Sequence, residues 1–164
     1  MMPVVLIINR GFGGSTMRDV NILSNDLAFS YNPKLVFFYE GDNDLAYGAK
    51  LSNFTAPLIQ FADKFHHNLP LARLFLLAIK PSPARFHRWP AYRQANEWMR
   101  QQAPAHGWTF IDANQGLLNT NGRPNPRYYA EDGVHFSPEV YKIWAGNVMA
   151  AARRMTPLTT SCNK

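Results

Sequence analysis

The sequence predicts an α/β protein, a parallel sheet with helices packed on both of its faces. Short apolar runs of strand length alternate along the chain with longer stretches whose apolar residues recur at helical spacing. The runs leave no polar face, as strands buried on both sides require. There are no internal repeats and no long linker, so residues 1–156 form one domain, followed by a polar tail over 157–164.

Each element has its own signal. Val4 to Ile8 in "VVLII" is a run of apolar, mostly β-branched residues, which predicts a first strand delivering "NRGFGGST" to one edge of the sheet. A helix follows over Met17 to Phe29, and Leu35 to Tyr39 of "PKLVFFYEG" form a second strand. Leu51, Phe54, Leu58, Phe61 and Phe65 recur at spacings of three and four, the stripe of a helix over Ser52 to Phe65. Ser52 or Thr55 is its expected N-cap, with Pro57 in its first turns. "ARLFLLAIKP" is a third strand, stopped by Pro81 and Pro83. Ala91 to Gln102 is helical, "GWTFIDA" a fourth strand, and Pro138 to Met155 the closing helix. The longest loop, "NTNGRPNPRYYAEDG", is too rich in Pro, Gly and Asn for either regular structure.

Composition narrows the function. A chain of 164 residues that is 46% hydrophobic can bury a full core and is too apolar for disorder. No run approaches the roughly 20 apolar residues of a membrane span, and no signal peptide is recognisable, so a soluble cytoplasmic protein without membrane contact is expected. Lone Cys162 excludes a disulfide framework. The net charge of +6 comes from arginines scattered between Arg10 and Arg154, and only "ARFHRW" approaches a basic stripe, so no nucleic-acid partner is predicted. Adjacent His66 and His67 point about 100° apart on a helix, which reads as a solvated helix end. His87 and His106 lack partners at ligand spacing, so neither a metal nor a cofactor is expected. Trp89, Tyr92 and Trp98 fit core packing better than an acyl or sugar pocket.

In open parallel sheets ligands bind beyond the carboxyl ends of the strands. That singles out "NRGFGGST", "YEGDNDLAYG" and "EDGVHFSPE". Gly11, Gly13 and Gly14 let backbone NH groups face a ligand, Asn43 offers a terminal amide beside Gly41, and Asp132 stands three residues before His135. Each also has a plainer explanation: a tight connection without a P-loop lysine, a turn rich in Asx hydrogen bonds, and an N-cap beside a surface histidine.

Taken in order, "NRGFGGST", "GDND" and "DGVHFS" resemble the second, third and fifth sequence blocks of the SGNH, or GDSL, hydrolases, and "IKPSPAR" resembles one bacterial subgroup. The resemblance implies a three-layer α/β/α, flavodoxin-like sandwich and an ester hydrolase of the carboxylesterase or acetylesterase class, acting on a small-molecule ester without a cofactor. It implies that Gly14 and Asn43 are oxyanion-hole donors, that His135 is the general base, and that Asp132 is the carboxylate holding its tautomer. The chemistry suits them. A tetrahedral oxyanion needs preorganised donors, each worth roughly 3 to 4 kcal/mol of barrier, and the imidazole needs its proton fixed away from the nucleophile.

The family nucleophile is the serine of a Gly-Asp-Ser block on a strand ahead of "NRGFGGST". The few residues before that stretch contain no serine, so the nucleophile is unassigned; Ser15 and Ser137 lie nearest to the site residues in sequence. The resemblance puts the absent strand at the centre of the sheet. Either the first strand slides to pair with the second, or a second copy fills the gap, which predicts a homo-oligomer such as a strand-swapped dimer. Three functions follow: a fragment or mis-started frame of a full esterase, a non-catalytic relative that binds esters or acylated sugars, or a hydrolase in which His135 activates water directly.

Overall fold

Three of the apolar runs pair as parallel strands in the order β1–β2–β3: β1 (Leu35–Phe38), β2 (Arg73–Leu77) and β3 (Thr109–Ile111). The computed structural model describes residues 6–155, and the statements below concern those residues. Val36 pairs with Leu74 and Phe38 with Leu76, while Phe75 meets Thr109 and Leu77 meets Ile111. Four of the five residues of β2, Leu74 to Leu77, are buried, as expected for a central strand covered on both faces.

Helices supply the covers. The helices α1 (Met17–Leu27), α3 (Leu51–Asn68) and α4 (Trp89–His106) pack against one face, where Met17, Phe54, Leu58, Phe61, Phe65, Tyr92 and Met99 surround Leu74 and Leu76. On the other face α5 (Pro138–Met155) sets Val148 and Ala152 against Phe75, Leu77 and Ile111. The result is an α/β/α sandwich with an open sheet. The short α2 (Asp42–Ala46) follows β1 directly, which puts the "GDND" stretch at that strand's carboxyl end. No helix of the described residues is long and apolar enough to cross a membrane.

Two sequence expectations need correction. The strand predicted over Val4 to Ile8 does not form across its described part: Leu6, Ile7 and Ile8 lie outside every strand and are exposed. Strand propensity is realised only when a neighbouring strand takes up the backbone groups, and no strand is paired with this run. Val4 and Val5, the 157–164 tail and Cys162 lie outside the described residues. The second correction is the start of α3, where Lys50, not Ser52 or Thr55, is the N-cap, because the apolar stripe already begins at Leu51. Pro57 consequently sits in the second turn of α3.

The outer edge of β1 is unpaired among the described strands, and Leu35 and Phe37 on it are exposed.

Candidate functional site

The turn before α1 and the turn before α2 are knitted together. Gly14 adopts φ +78°, in the left-handed region where a side chain is strained, and no atom lies within 4 Å of where its Cβ would be. The next residue is the junction. Asn43 Nδ2 donates to the Ser15 carbonyl at 2.9 Å, and the Ser15 hydroxyl donates to Glu40 Oε1 in a short hydrogen bond. Glu40 Oε2 in turn accepts from the Gly41 NH at 3.1 Å. Asp44 reaches the start of α1, both of its oxygens accepting from the Met17 NH at 3.3 Å. Thr16 completes the entry to that helix by donating its NH and hydroxyl to Asp19 Oδ2 at 2.9 and 2.6 Å.

Gly41 is required where it stands. Its φ is +98°, and a Cβ there would lie 2.5 Å from the Phe54 ring and 2.9 Å from Ile79 Cδ1. Gly41→Ala is therefore expected to destabilise the fold by about 2 to 3 kcal/mol, from backbone strain plus a core clash. A shift in the urea midpoint without a change in slope measures it.

Asp42 points the other way, into the protein. Its carboxylate accepts from Arg85 at 2.6 Å, Tyr92 OH at 2.8 Å, Tyr39 OH at 3.1 Å and Lys80 Nζ at 3.3 Å. Burial alone would raise this carboxyl, but Lys80 and the donors from Arg85 and Tyr92 outweigh it and hold Asp42 below the ordinary carboxylate range. Burial dominates for Lys80, which is pulled below the usual lysine range in spite of Asp42. Glu40, by contrast, is pushed up to about 7 by its burial, against the hydrogen bonds it accepts from Ser15 and Gly41.

The histidine loop is a compact turn. Asp132 Oδ1 accepts from the Val134 NH at 2.8 Å and the His135 NH at 3.0 Å, while Oδ2 meets His135 Nδ1 at 2.6 Å. The His135 hydrogen bond, followed by the two backbone donors, holds the Asp132 carboxyl well below its usual range. With Nδ1–H given to Asp132, the lone pair of the neutral ring falls on Nε2. The loop is tied to the segment after β2: Tyr129 OH donates to the Pro81 carbonyl at 2.5 Å and the Ala84 NH to the Gly133 carbonyl at 3.1 Å.

The four expected site residues are thus assembled as two pairs. Gly14 and Asn43 meet through Ser15, and Asp132 meets His135 directly. Lys80 Nζ contacts Asp42, which precedes Asn43, and lies 5.4 Å from the centroid of the Phe136 ring, which follows His135. Ser15 bonds to Glu40 and to the Phe12 carbonyl at 3.3 Å, and Ser137 Oγ accepts from the Val140 NH at 3.5 Å. A groove of about 690 Å³ along α4, lined by Trp89, Arg93, Glu97, Arg100 and Asp112 among others, contains none of the four. Tyr92 is fully buried and Trp98 packs on Trp108. His66 is half-buried rather than solvated, its Nε2 lying 2.9 Å from the His106 carbonyl. Glu40, Lys80 and Arg85 were not expected at the site; the signal for the last two was a lysine and an arginine flanking the prolines of "IKPSPAR".

The model of the GDSL-like lipase/acylhydrolase family matches residues 1–143. The chain belongs to that family. Among solved structures, a GDSL-like lipase from Bacteroides thetaiotaomicron superposes with a TM-score of 0.73 at 21% identity, covering 87% of this chain and 73% of that one. An acetylxylan esterase from Geobacillus stearothermophilus, solved as a catalytic mutant, gives 0.71 at 20% identity, covering 87% and 70%. A lipase/acylhydrolase from Enterococcus faecalis gives 0.64 at 16% identity, covering 87% and 72%. At these identities the structures establish the shared fold. No curated protein sequence matches. Membership of the GDSL-like family places the chain among ester hydrolases in general terms.

Proposed function

We propose that this GDSL-family chain contributes the oxyanion hole and the base of an ester-hydrolysis site. In this scheme the Gly14 NH and the second N–H of the Asn43 amide receive the carbonyl oxygen of a short acyl or acetyl ester as it becomes an oxyanion. His135 Nε2 takes the proton of the attacking group and returns it to the leaving alcohol, and Asp132 holds the ring and stabilises its charged form. The observation that carries the reading is the 2.6 Å Asp132–His135 contact, with the same carboxylate anchored by two backbone NH groups. The attacking group is left unassigned.

One observation favours a second reading, a non-catalytic relative that binds esters or acylated sugars. The hydroxyl of Ser15 is engaged by Glu40, and that of Ser137 by the first turn of α5, so the two serines nearest the site residues in sequence have partners other than His135.

A short p-nitrophenyl ester and a fluorophosphonate probe separate the two. His135→Ala is expected to lower ester turnover by about 100-fold or more, the usual contribution of a general base. An unchanged rate would reject the role of His135. Stoichiometric labelling mapped to one serine would assign the nucleophile and reject the binding-only reading, whereas binding of an ester analogue with neither turnover nor labelling would favour it.

A further inference from the structure

The Glu40 carboxylate helps to join the two turns that carry the proposed oxyanion donors. One oxygen takes the Ser15 hydroxyl, adjacent to Gly14, and the other takes the Gly41 NH, two residues before Asn43. The crosslink is closed into a ring by Asn43 Nδ2, which donates to the carbonyl of the same Ser15. We infer that Glu40 is a positioning residue, a clamp that fixes the Gly14 turn against the Asn43 turn so that both donors converge on one oxygen. This rests on the ester-hydrolase reading for its purpose but not for its geometry.

Three features support a clamp rather than ordinary packing. Glu40 is buried, 7% exposed, in a chain where a buried carboxylate is costly unless its oxygens are engaged. One of its oxygens reaches across to Ser15, more than twenty residues away in sequence, while the other accepts from the adjacent Gly41 NH, and no apolar side chain of similar size can do both. The neighbouring carboxylates are occupied elsewhere: Asp42 is turned to Lys80 and Arg85, and Asp44 to the Met17 NH. Neither can substitute for Glu40 without abandoning its own partner. A donor displaced by a fraction of an ångström loses its bond to the oxyanion while the substrate still binds, so the clamp acts on the transition state.

The test compares the full chain with Ser15→Ala, Ser15→Thr, Glu40→Met and the Ser15→Ala/Glu40→Met double variant. It reads kcat and KM on p-nitrophenyl acetate, and hydrogen exchange of the Gly41 amide. Ser15→Ala and Glu40→Met are each expected to lower kcat about tenfold with KM little changed. The double variant should be no worse than either single, because both cut the same link. Ser15→Thr keeps the hydroxyl and should restore kcat and Gly41 exchange, which Ser15→Ala accelerates about tenfold. Wild-type values of both quantities in a folded Ser15→Ala variant would overturn the clamp, and so would losses that multiply in the double variant. If the wild-type chain turns over no ester, the ester reading fails separately, and Gly41 exchange in the two Ser15 variants still decides the clamp.

Discussion

Asp42→Ala is expected to lower the unfolding free energy by about 3 to 5 kcal/mol, the usual cost of removing one partner from a buried ion pair. The reason lies with the residues left behind. Lys80 has only 6% of its side chain exposed and loses its carboxylate at 3.3 Å, while Arg85 loses one at 2.6 Å. Tyr92 and Tyr39 lose the acceptor for their hydroxyls at the same time. The loss is therefore a desolvated cation and two orphaned donors rather than one missing contact. Removing the cation as well should recover part of it, so Asp42→Ala/Lys80→Met should be more stable than Asp42→Ala alone. Urea unfolding of the single and double variants checks both statements. A single variant within about 1 kcal/mol of wild type would show that Lys80 finds water or another partner.

The same cluster shows where sequence reasoning reaches and where it stops. The stripe from Leu51 to Phe65 fixed a helix face because periodicity depends only on local spacing, and four of its five residues, Phe54, Leu58, Phe61 and Phe65, are buried in α3. The Asp132–His135 contact was legible for a similar reason, since a separation of three lets a turn close it. In "GDND" the residue types were legible but their partners were not. Asx turns within the segment would have satisfied the same side chains, yet Asn43 reaches Ser15, Asp44 reaches Met17 and Asp42 reaches Lys80 and Arg85. Those contacts depend on how β1, β2 and α1 are brought together, which spacing cannot report. Glu40 was missed because an acidic residue after a strand ordinarily reads as solvent-facing, whereas here it is buried and takes the Ser15 hydroxyl. The run Leu6 to Ile8 failed in the opposite direction, its composition promising a strand whose existence depends on a partner beside it.

Glu40 should also make stability fall as pH rises from mildly acidic to neutral. Burial, against the opposing hydrogen bonds from Ser15 and Gly41 and with the charges of Asp44 and Asp42 adding to it, lifts this carboxyl from its ordinary 4.5 to about 7 in the folded protein. Below about pH 4.5 both folded and unfolded chains hold the proton, and Glu40 favours folding fully. Between 4.5 and 7 the unfolded chain has released the proton while the folded chain retains it, so unfolding gains relative to folding with each step in pH. Above 7 both have released it and the loss is complete, at about 3 kcal/mol in all. Asp42 works in the other direction: its carboxyl is held below the ordinary range, so its contribution is present at neutral pH and is lost as pH falls through its folded value. Subtracting the urea-derived stability of Glu40→Gln from that of wild type at each pH isolates the Glu40 part, because the other titrating groups are common to both. The difference should decline across the interval from 4.5 to 7; a flat difference would mean that the carboxylate is charged and solvated in the folded chain, and that the Ser15 and Gly41 donors hold it without burying it.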